Sequence, residues 1–251
     1  MITAIIQIRL NSSRLKRKAL LKIQNLTLIE HLFSQLSYST QIDKKIIATT
    51  TESIDDDIEK LANNIGIQFF RGNSLNVLDR YYNCAKSFDI DTIVRINGDA
   101  PLIDPIIVDK TIEYYKKNNF DYVSNFFRRT FPIGTEIEIF SFKTLEKCWK
   151  TAQQSYQKEH VTPFIYEHPE LFNIGFIEHS ENLSNLHWTV DRIEDFEFVK
   201  SIIEKTEKRP ILMNEILKVL ENEPDLLRIN GHVDPFEGYK KSIRNDNYFK
   251  K

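Results

Sequence analysis

An α/β fold built on a doubly wound, mainly parallel sheet is predicted by three features of the sequence. Short β-branched runs alternate with stretches of helical period, the runs are almost continuously apolar, and the gaps between them leave room for crossover helices. Strands covered on both faces read as unbroken apolar runs, whereas a sheet with one wet face alternates.

The first strand is predicted over TAIIQIR, a helix over LIEHLFSQL and a second strand over KKIIATT. Ile58, Leu61, Ala62 and Ile65 then recur at i, i+3, i+4 and i+7, one buried face of a helix. Ile67 to Phe70 reads as a brief strand, VLDRYYNCAKSF as a helix and DTIVRI as the fourth strand. Val108, Thr111, Ile112 and Tyr115 share the face of the next helix, and DYVSN is again extended.

After Asn125 the rhythm changes. TEIEIFSF alternates like a half-exposed antiparallel strand, which makes the expected sheet a mixed one with a small antiparallel extension. The next helix carries Phe142, Leu145, Trp149 and Ala152 on one face, with Ser141 as its N-cap. EHVTPFIYEH is helical with a start or kink at Pro163, and FNIGFIEH and LHWTV read as strands. Phe196, Val199, Ile202 and Ile203 mark a helix, and another lies around Met213 to Leu220. The loop-rich end, RNDNYFKK, is expected to fray at its last residues. No repeat or linker divides the chain, so residues 1–251 are expected to form one domain, with the C-terminal helix and tail (209–251) packed on it.

With 251 residues and 41% hydrophobic content, the chain has material for an adequate core. Lys+Arg 34 against Asp+Glu 36 is near balance, which argues against a generally basic, nucleic-acid-binding chain. No apolar run is long enough to cross a bilayer and MITAIIQIRL lacks the order of a signal peptide, so the cytoplasm is the expected location. Cys84 and Cys148 lie in helical patterns without CxxC spacing and are expected to be buried thiols. The histidines form no HExxH and there is no GxSxG, which excludes the common zinc and serine hydrolase patterns.

Against this balanced background, Arg9, Arg14, Lys16, Arg17 and Lys18 crowd into ten residues directly after the first strand. In doubly wound sheets ligands sit at the carboxyl ends of the strands, and the first loop is a usual place for phosphate. Ser12 and Ser13 offer hydroxyl donors there, and Arg9, Arg14 and Lys18 offer charge, a combination suited to a triphosphate. A charge run also serves as a solvated turn that holds surface carboxylates; position after the first strand favours phosphate. The loop is neither GxxxxGK[ST] nor GxGxxG, so neither a P-loop ATPase nor a dehydrogenase is supported.

The stretch IIQIRLNSSRLKRKALL resembles the signature of the cytidylyltransferases that activate acidic sugars, the CMP-Kdo and CMP-acylneuraminate synthetases. It is more similar still to their relatives in spore-coat polysaccharide biosynthesis. FFRGNSLNVLDRYY, IVRINGDAPLID, DYVSN, EHVTPFI, HWTVDRIEDFEFV and LRINGHVDPFEGY match that subgroup in the same order, so the resemblance spans nearly the whole chain. It implies a sheet of the nucleotide-diphospho-sugar transferase type and a homodimer whose interface involves the TEIEIFSF region. It also implies Mg²⁺-dependent transfer of CMP from CTP to an acidic or phosphorylated sugar, in polysaccharide or glycan biosynthesis.

The resemblance places Arg9, Ser12, Ser13, Arg14 and Lys18 on the triphosphate, and Arg71, Arg80, Arg95 and Asn97 beside the nucleotide. Asp99, projecting from the fourth strand, and Asp191 would hold the metal, with Arg9, Lys18 and Asp99 as the main catalytic groups. His160 would contact the acceptor, and Thr135 and Glu136, after the turn at Pro132 and Gly134, are expected to line its pocket. Plainer roles stand beside these. Asp99 also suits an Asx turn after Gly98, Asp191 an N-cap for the helix of Phe196, Arg95 a buried ion pair, and His160 an ordinary helix face.

Lys16-Arg17 replaces the family's usual Pro-Gly, and Asn11 a usual small residue. Asn tolerates positive φ, so position 11 is able to turn. A glycine backbone needed at position 17 would weaken phosphate binding; otherwise the two extra cations would grip pyrophosphate or an acidic substrate. Two alternatives follow: a non-catalytic partner subunit with a drifted loop, or a nucleotide-sugar glycosyltransferase. The latter usually carries a DxD motif, and here that spacing occurs only at Asp55 with Asp57 and Asp89 with Asp91, ahead of predicted helix or strand.

Overall fold

Successive side chains of the first strand, β1 (Ile2–Gln7), enter two different cores. Ala4 and Ile6 pack on one side and Ile5 on the other, all three fully buried. These contacts come from a computed structural model that describes residues 1–248. The division explains the unbroken apolar runs, because both faces of the sheet are covered.

A small antiparallel hairpin follows, β2 (Lys22–Ile23) with β3 (Leu26–Thr27), then α1 (Leu28–Leu36), opened by a capping box between Thr27 and Glu30. Next come β4 (Lys44–Thr50), α2 (Asp56–Asn64), β5 (Gln68–Gly72), α3 (Val77–Ser87), β6 (Thr92–Asn97) and α4 (Pro105–Lys117). The later part holds β7 (Tyr122–Ser124), β8 (Glu138–Ser141), α5 (Phe142–Thr151), α6 (Ser155–His160), α7 (Pro163–Glu167) and β9 (Ile174–Phe176). Helices α8 (Ile193–Lys205), α9 (Met213–Asn222), α10 (Leu227–Asn230) and α11 (Glu237–Tyr248) complete the described chain.

The main sheet has 7 strands in the order β5-β4-β1-β6-β8-β7-β9. All are parallel except β8, which runs antiparallel between β6 and β7. The expected α/β class with a mixed, mainly parallel sheet is therefore what the chain forms. Ser141 caps α5 as predicted, its hydroxyl accepting from Thr144 N at 3.0 Å.

Four local expectations change. TEIEIFSF is not half-exposed: Ile137, Glu138, Ile139 and Phe140 are all buried. Its polar position is satisfied inside, since Glu138 lies opposite Arg95 in the β6–β8 register, pairs with it, and also accepts from Tyr122 Oη at 2.8 Å. LHWTV is extended but makes only an isolated bridge, Ile133 with His187, because its backbone is committed to the Ile133 and Asp99 loops. EHVTPFIYEH is two helices, broken where Val161 takes φ 72 before Pro163 opens α7. The tail is helical through Tyr248, whereas the fraying expected of Phe249 to Lys251 falls outside the described residues.

Cys84 and Cys148 are free and buried, and burial pushes each thiol up to about 12. Among the described residues no helix is long and apolar enough to cross a membrane.

Candidate active site

The order of the sheet reverses at β1: the chain moves outward to β4 and β5, then returns to place β6 on the other side of β1. Such a switch leaves a crevice beyond the carboxyl ends of the two strands. Gly98 closes its floor, donating to Gln7 O at 3.1 Å. A Cβ there would stand 2.5 Å from Ile8 Cγ1 and 2.6 Å from Gln7 O, so no larger residue permits the approach that aims Asp99 into the crevice.

The cation loop is pinned at both ends. Asp55 Oδ1 accepts from Leu10 N at 2.7 Å while its other oxygen holds Thr50, and Arg17 N donates to Leu10 O at 3.0 Å. Asp55 is thereby spent on the loop and Asp57 on Arg17, so the DxD spacing does not form a metal motif. Arg17 stands at φ 55, ψ 22, the left-handed conformation that favours glycine. Position 11 is not left-handed; the turn is made at 17 instead. The Arg17 side chain points out to Asp57 at 2.7 Å and does not enter the crevice.

Lys18, on the short turn after Arg17, reaches both aspartates: its Nζ lies 3.0 Å from Asp99 Oδ2 and 2.7 Å from Asp191 Oδ1. Burial works against the charge of Lys18, but Asp99 and Asp191 outweigh it and hold its pKa above the ordinary lysine value. Burial likewise opposes ionisation of Asp191, and Lys18 with Arg14, 2.6 Å away, overcomes it and depresses that carboxyl. Val190 N donates to Asp99 O at 2.9 Å, fastening the two aspartate segments together. Asp99 Oδ1 is buried without a partner among the described residues.

These groups open onto a cavity of ≈ 490 Å³ that also receives Arg9, Ser12, Ser13, Arg80, Asn97 and His160. Arg80, on α3, is only 2% exposed, and its Nε and Nη1 lack partners among the described residues. Burial lowers its pKa to about 10. Arg95 borders the same space but is committed to Glu138, with Gln7 at 3.2 Å, so the buried ion pair is its observed role. Arg71 is elsewhere: α2 draws it to Asp56 at 2.7 Å and Glu59 at 2.9 Å, and it does not line the cavity.

A second cavity of ≈ 440 Å³ adjoins the first across Asn97, Asp99, His160 and Asp191. Phe126, Phe127, Tyr166 and Phe236 give it an aromatic wall. Arg129 lies over the Phe126 and Phe236 rings at 5.6 and 5.0 Å and pairs with Glu136 at 2.5 Å. Glu136 lines this space, whereas Thr135 is buried and spends its hydroxyl on Pro132 O at 2.7 Å. His160 is not on an ordinary exposed face: its Nε2 is buried without a partner among the described residues. Burial, aided by Arg95 and Arg9, outweighs Glu159 and Glu138 and lowers its pKa to about 4, so the ring is neutral near pH 7.

Two contributors were missed in the sequence. Asp195 is a buried anchor: Oδ2 accepts from Asp191 N and Arg192 N at 3.0 and 2.9 Å, and Oδ1 meets His187 Nε2 at 2.9 Å and Asn230 Nδ2 at 3.1 Å. It opens α8, with Arg192 as N-cap, which leaves the Asp191 carboxylate free to face Lys18. The spacing of Asp191 and Asp195 around a helix start was the available signal. The other is α11, whose Gly238, Tyr239 and Lys241 wall the first cavity.

Known proteins are similar to this chain along most of its length. A cytidylyltransferase family model matches residues 3–233. The chain is 41% identical over 234 residues to an uncharacterized protein of Methanocaldococcus jannaschii, covering 92% of this chain and 95% of that one. It is 29% identical to the spore coat polysaccharide biosynthesis protein SpsF of Bacillus subtilis, covering 88% and 94%. A solved cytidylyltransferase from Leptospira borgpetersenii superposes with a TM-score of 0.86 at 32% identity, covering 90% of this chain and 95% of that one. With the family model spanning most of its length and the two aspartates meeting the cation loop at the switch point, the chain belongs to the cytidylyltransferase family.

Proposed function

We propose that the protein transfers CMP from CTP to an acidic or phosphorylated sugar in the presence of Mg²⁺. The observation that carries this reading is Lys18 held between Asp99 and Asp191 on the wall of the cation-lined cavity of ≈ 490 Å³.

The donors present suit Mg²⁺. One ammonium bridges both carboxylates, so a single cation fits between them, and the unpartnered Asp99 Oδ1 leaves a buried oxygen to be satisfied. Among the described residues no cluster of three or more His, Cys, Asp or Glu side chains is able to hold a metal. Mg²⁺ needs only one or two carboxylates when phosphate oxygens and water complete its shell. When bound, it would neutralise charge on the reacting phosphates.

The chain's own residues supply the rest by position and charge. Arg9, Arg14, Lys18 and Arg80 surround the triphosphate with cations, and Ser12 and Ser13 add hydroxyl donors. The sugar occupies the aromatic cavity, where Arg129 is the cation its acid group meets. Neutral His160 stands on the shared wall, its Nε2 available to hydrogen-bond the attacking hydroxyl. That oxygen, or a phosphate oxygen of a phosphorylated sugar, attacks the α-phosphorus in line as the bond to pyrophosphate breaks, the hydroxyl proton passing to solvent, with no covalent enzyme intermediate.

Incubation with CTP, Mg²⁺ and a panel of acidic sugars and sugar phosphates tests the reading through pyrophosphate release. A CMP-sugar product from an acidic sugar, or a CDP-sugar product from a sugar phosphate, supports it. Failure of CTP to bind in the presence of Mg²⁺ would refute it.

A further inference from the structure

Helix α11 lies beyond residue 233, where the family model ends, yet one of its faces belongs to the phosphate cavity. Gly238, Lys241 and Ser242 stand at i, i+3 and i+4 and so share that face. Four contacts fix its orientation. Glu237 pairs with Arg192 at 2.6 Å, and Ser242 Oγ donates to Glu159 Oε2 at 2.8 Å. Tyr239 meets the His160 ring edge-on with centroids 4.9 Å apart. Gly238 lies against Arg14 so closely that a Cβ would stand 2.8 Å from Nη1.

These contacts reach the cation loop and its neighbours, so the helix is docked against the groups that bind phosphate. Lys241, an exposed residue, thereby lines the same cavity as the loop. No ion-pair partner occupies it among the described residues, whereas the adjacent Lys240 is turned away and bound to Asp234 at 2.6 Å. A cation at the edge of a polar cavity, without a carboxylate of its own among the described residues, is matched to an anionic ligand.

We propose that Lys241 is a phosphate-binding residue, by which the C-terminal helix completes the triphosphate site. The proposal rests on the reading of this cavity as the CTP site.

Calorimetric titration of the full-length protein with CTP and with CMP, both in Mg²⁺, tests it in the wild type, Lys241→Met and Lys240→Met. Lys241→Met is expected to weaken CTP binding about tenfold, the loss of one charge-assisted contact. CMP binding should be unchanged, which also reports an intact fold, and Lys240→Met should alter neither nucleotide. The proposal is overturned if Lys241→Met keeps wild-type affinity for CTP, or loses CTP and CMP alike. A wild type that binds neither nucleotide would overturn the CTP reading itself, and this proposal with it, an outcome distinct from an unaffected Lys241 variant.

Discussion

The ammonium of Lys18 lies 2.7 Å from Asp191 Oδ1 although 173 positions separate the two residues. Neither partner is on a regular strand: one sits on the turn that follows the cation loop, the other on the segment that Asp195 and Asp99 hold in place. Two carboxylates this close repel unless a cation lies between them, and Lys18 supplies it. The charge pattern, more than any single residue, makes this place suited to an anionic ligand and its counter-ion.

Arg80 is buried with Nε and Nη1 unpartnered among the described residues, so Arg80→Met should leave stability unchanged or raise it, by at most about 1–3 kcal/mol, the cost of a buried unsatisfied polar group. The same variant should weaken CTP binding. Urea unfolding and nucleotide titration on one preparation check both directions.

Asn230 steadies Asp195 and His187 and through them the Asp191 backbone. Asn230→Ala removes donors from a fully buried network and should cost about 1–3 kcal/mol of stability. Turnover should fall as well, because the Asp191 carboxylate loses its fixed direction. Denaturation curves and steady-state rates measured together check this.

Arg17 tests how the cation loop tolerates its departure from the family pattern. Arg17→Gly relieves left-handed strain but gives the unfolded chain more freedom, so stability should shift by less than about 1 kcal/mol. Turnover should match the wild type, since the guanidinium points to Asp57. A large loss of CTP affinity would show that Arg17 contacts phosphate.

His160 sets a pH dependence. Its folded pKa of about 4 lies below the ordinary histidine value, so between pH 6.5 and 4 the unfolded chain binds the extra proton. Stability from this group is therefore present above pH 6.5 and lost as pH falls toward 4. His160→Gln should flatten the dependence in that window, as read from denaturation midpoints across pH.

Much of this arrangement was legible in the chain. Apolar runs gave away β1, β4 and β6 because burial on both faces leaves no alternation, and the clustered cations after β1 marked the loop that lines the cavity, although charge alone also fitted the solvated turn that Arg17 makes with Asp57. The rest depended on partners distant in sequence. Glu138 looked like a solvent-facing position until Arg95 was opposite it, and Arg71 looked like a nucleotide ligand until α2 claimed it. Helix α11 has few apolar residues to set a period; its docking comes from Glu237, Tyr239 and Ser242 meeting groups on other elements.

The most direct measurement is the rate of pyrophosphate release from CTP, Mg²⁺ and the active acceptor by Asp99→Asn protein. With Asp99 carrying one of the two carboxylates at Lys18, the rate should fall by about 10²- to 10³-fold while the unfolding midpoint stays near that of the wild type. Release at the wild-type rate would contradict the convergence of Lys18, Asp99 and Asp191 as the centre of the reaction.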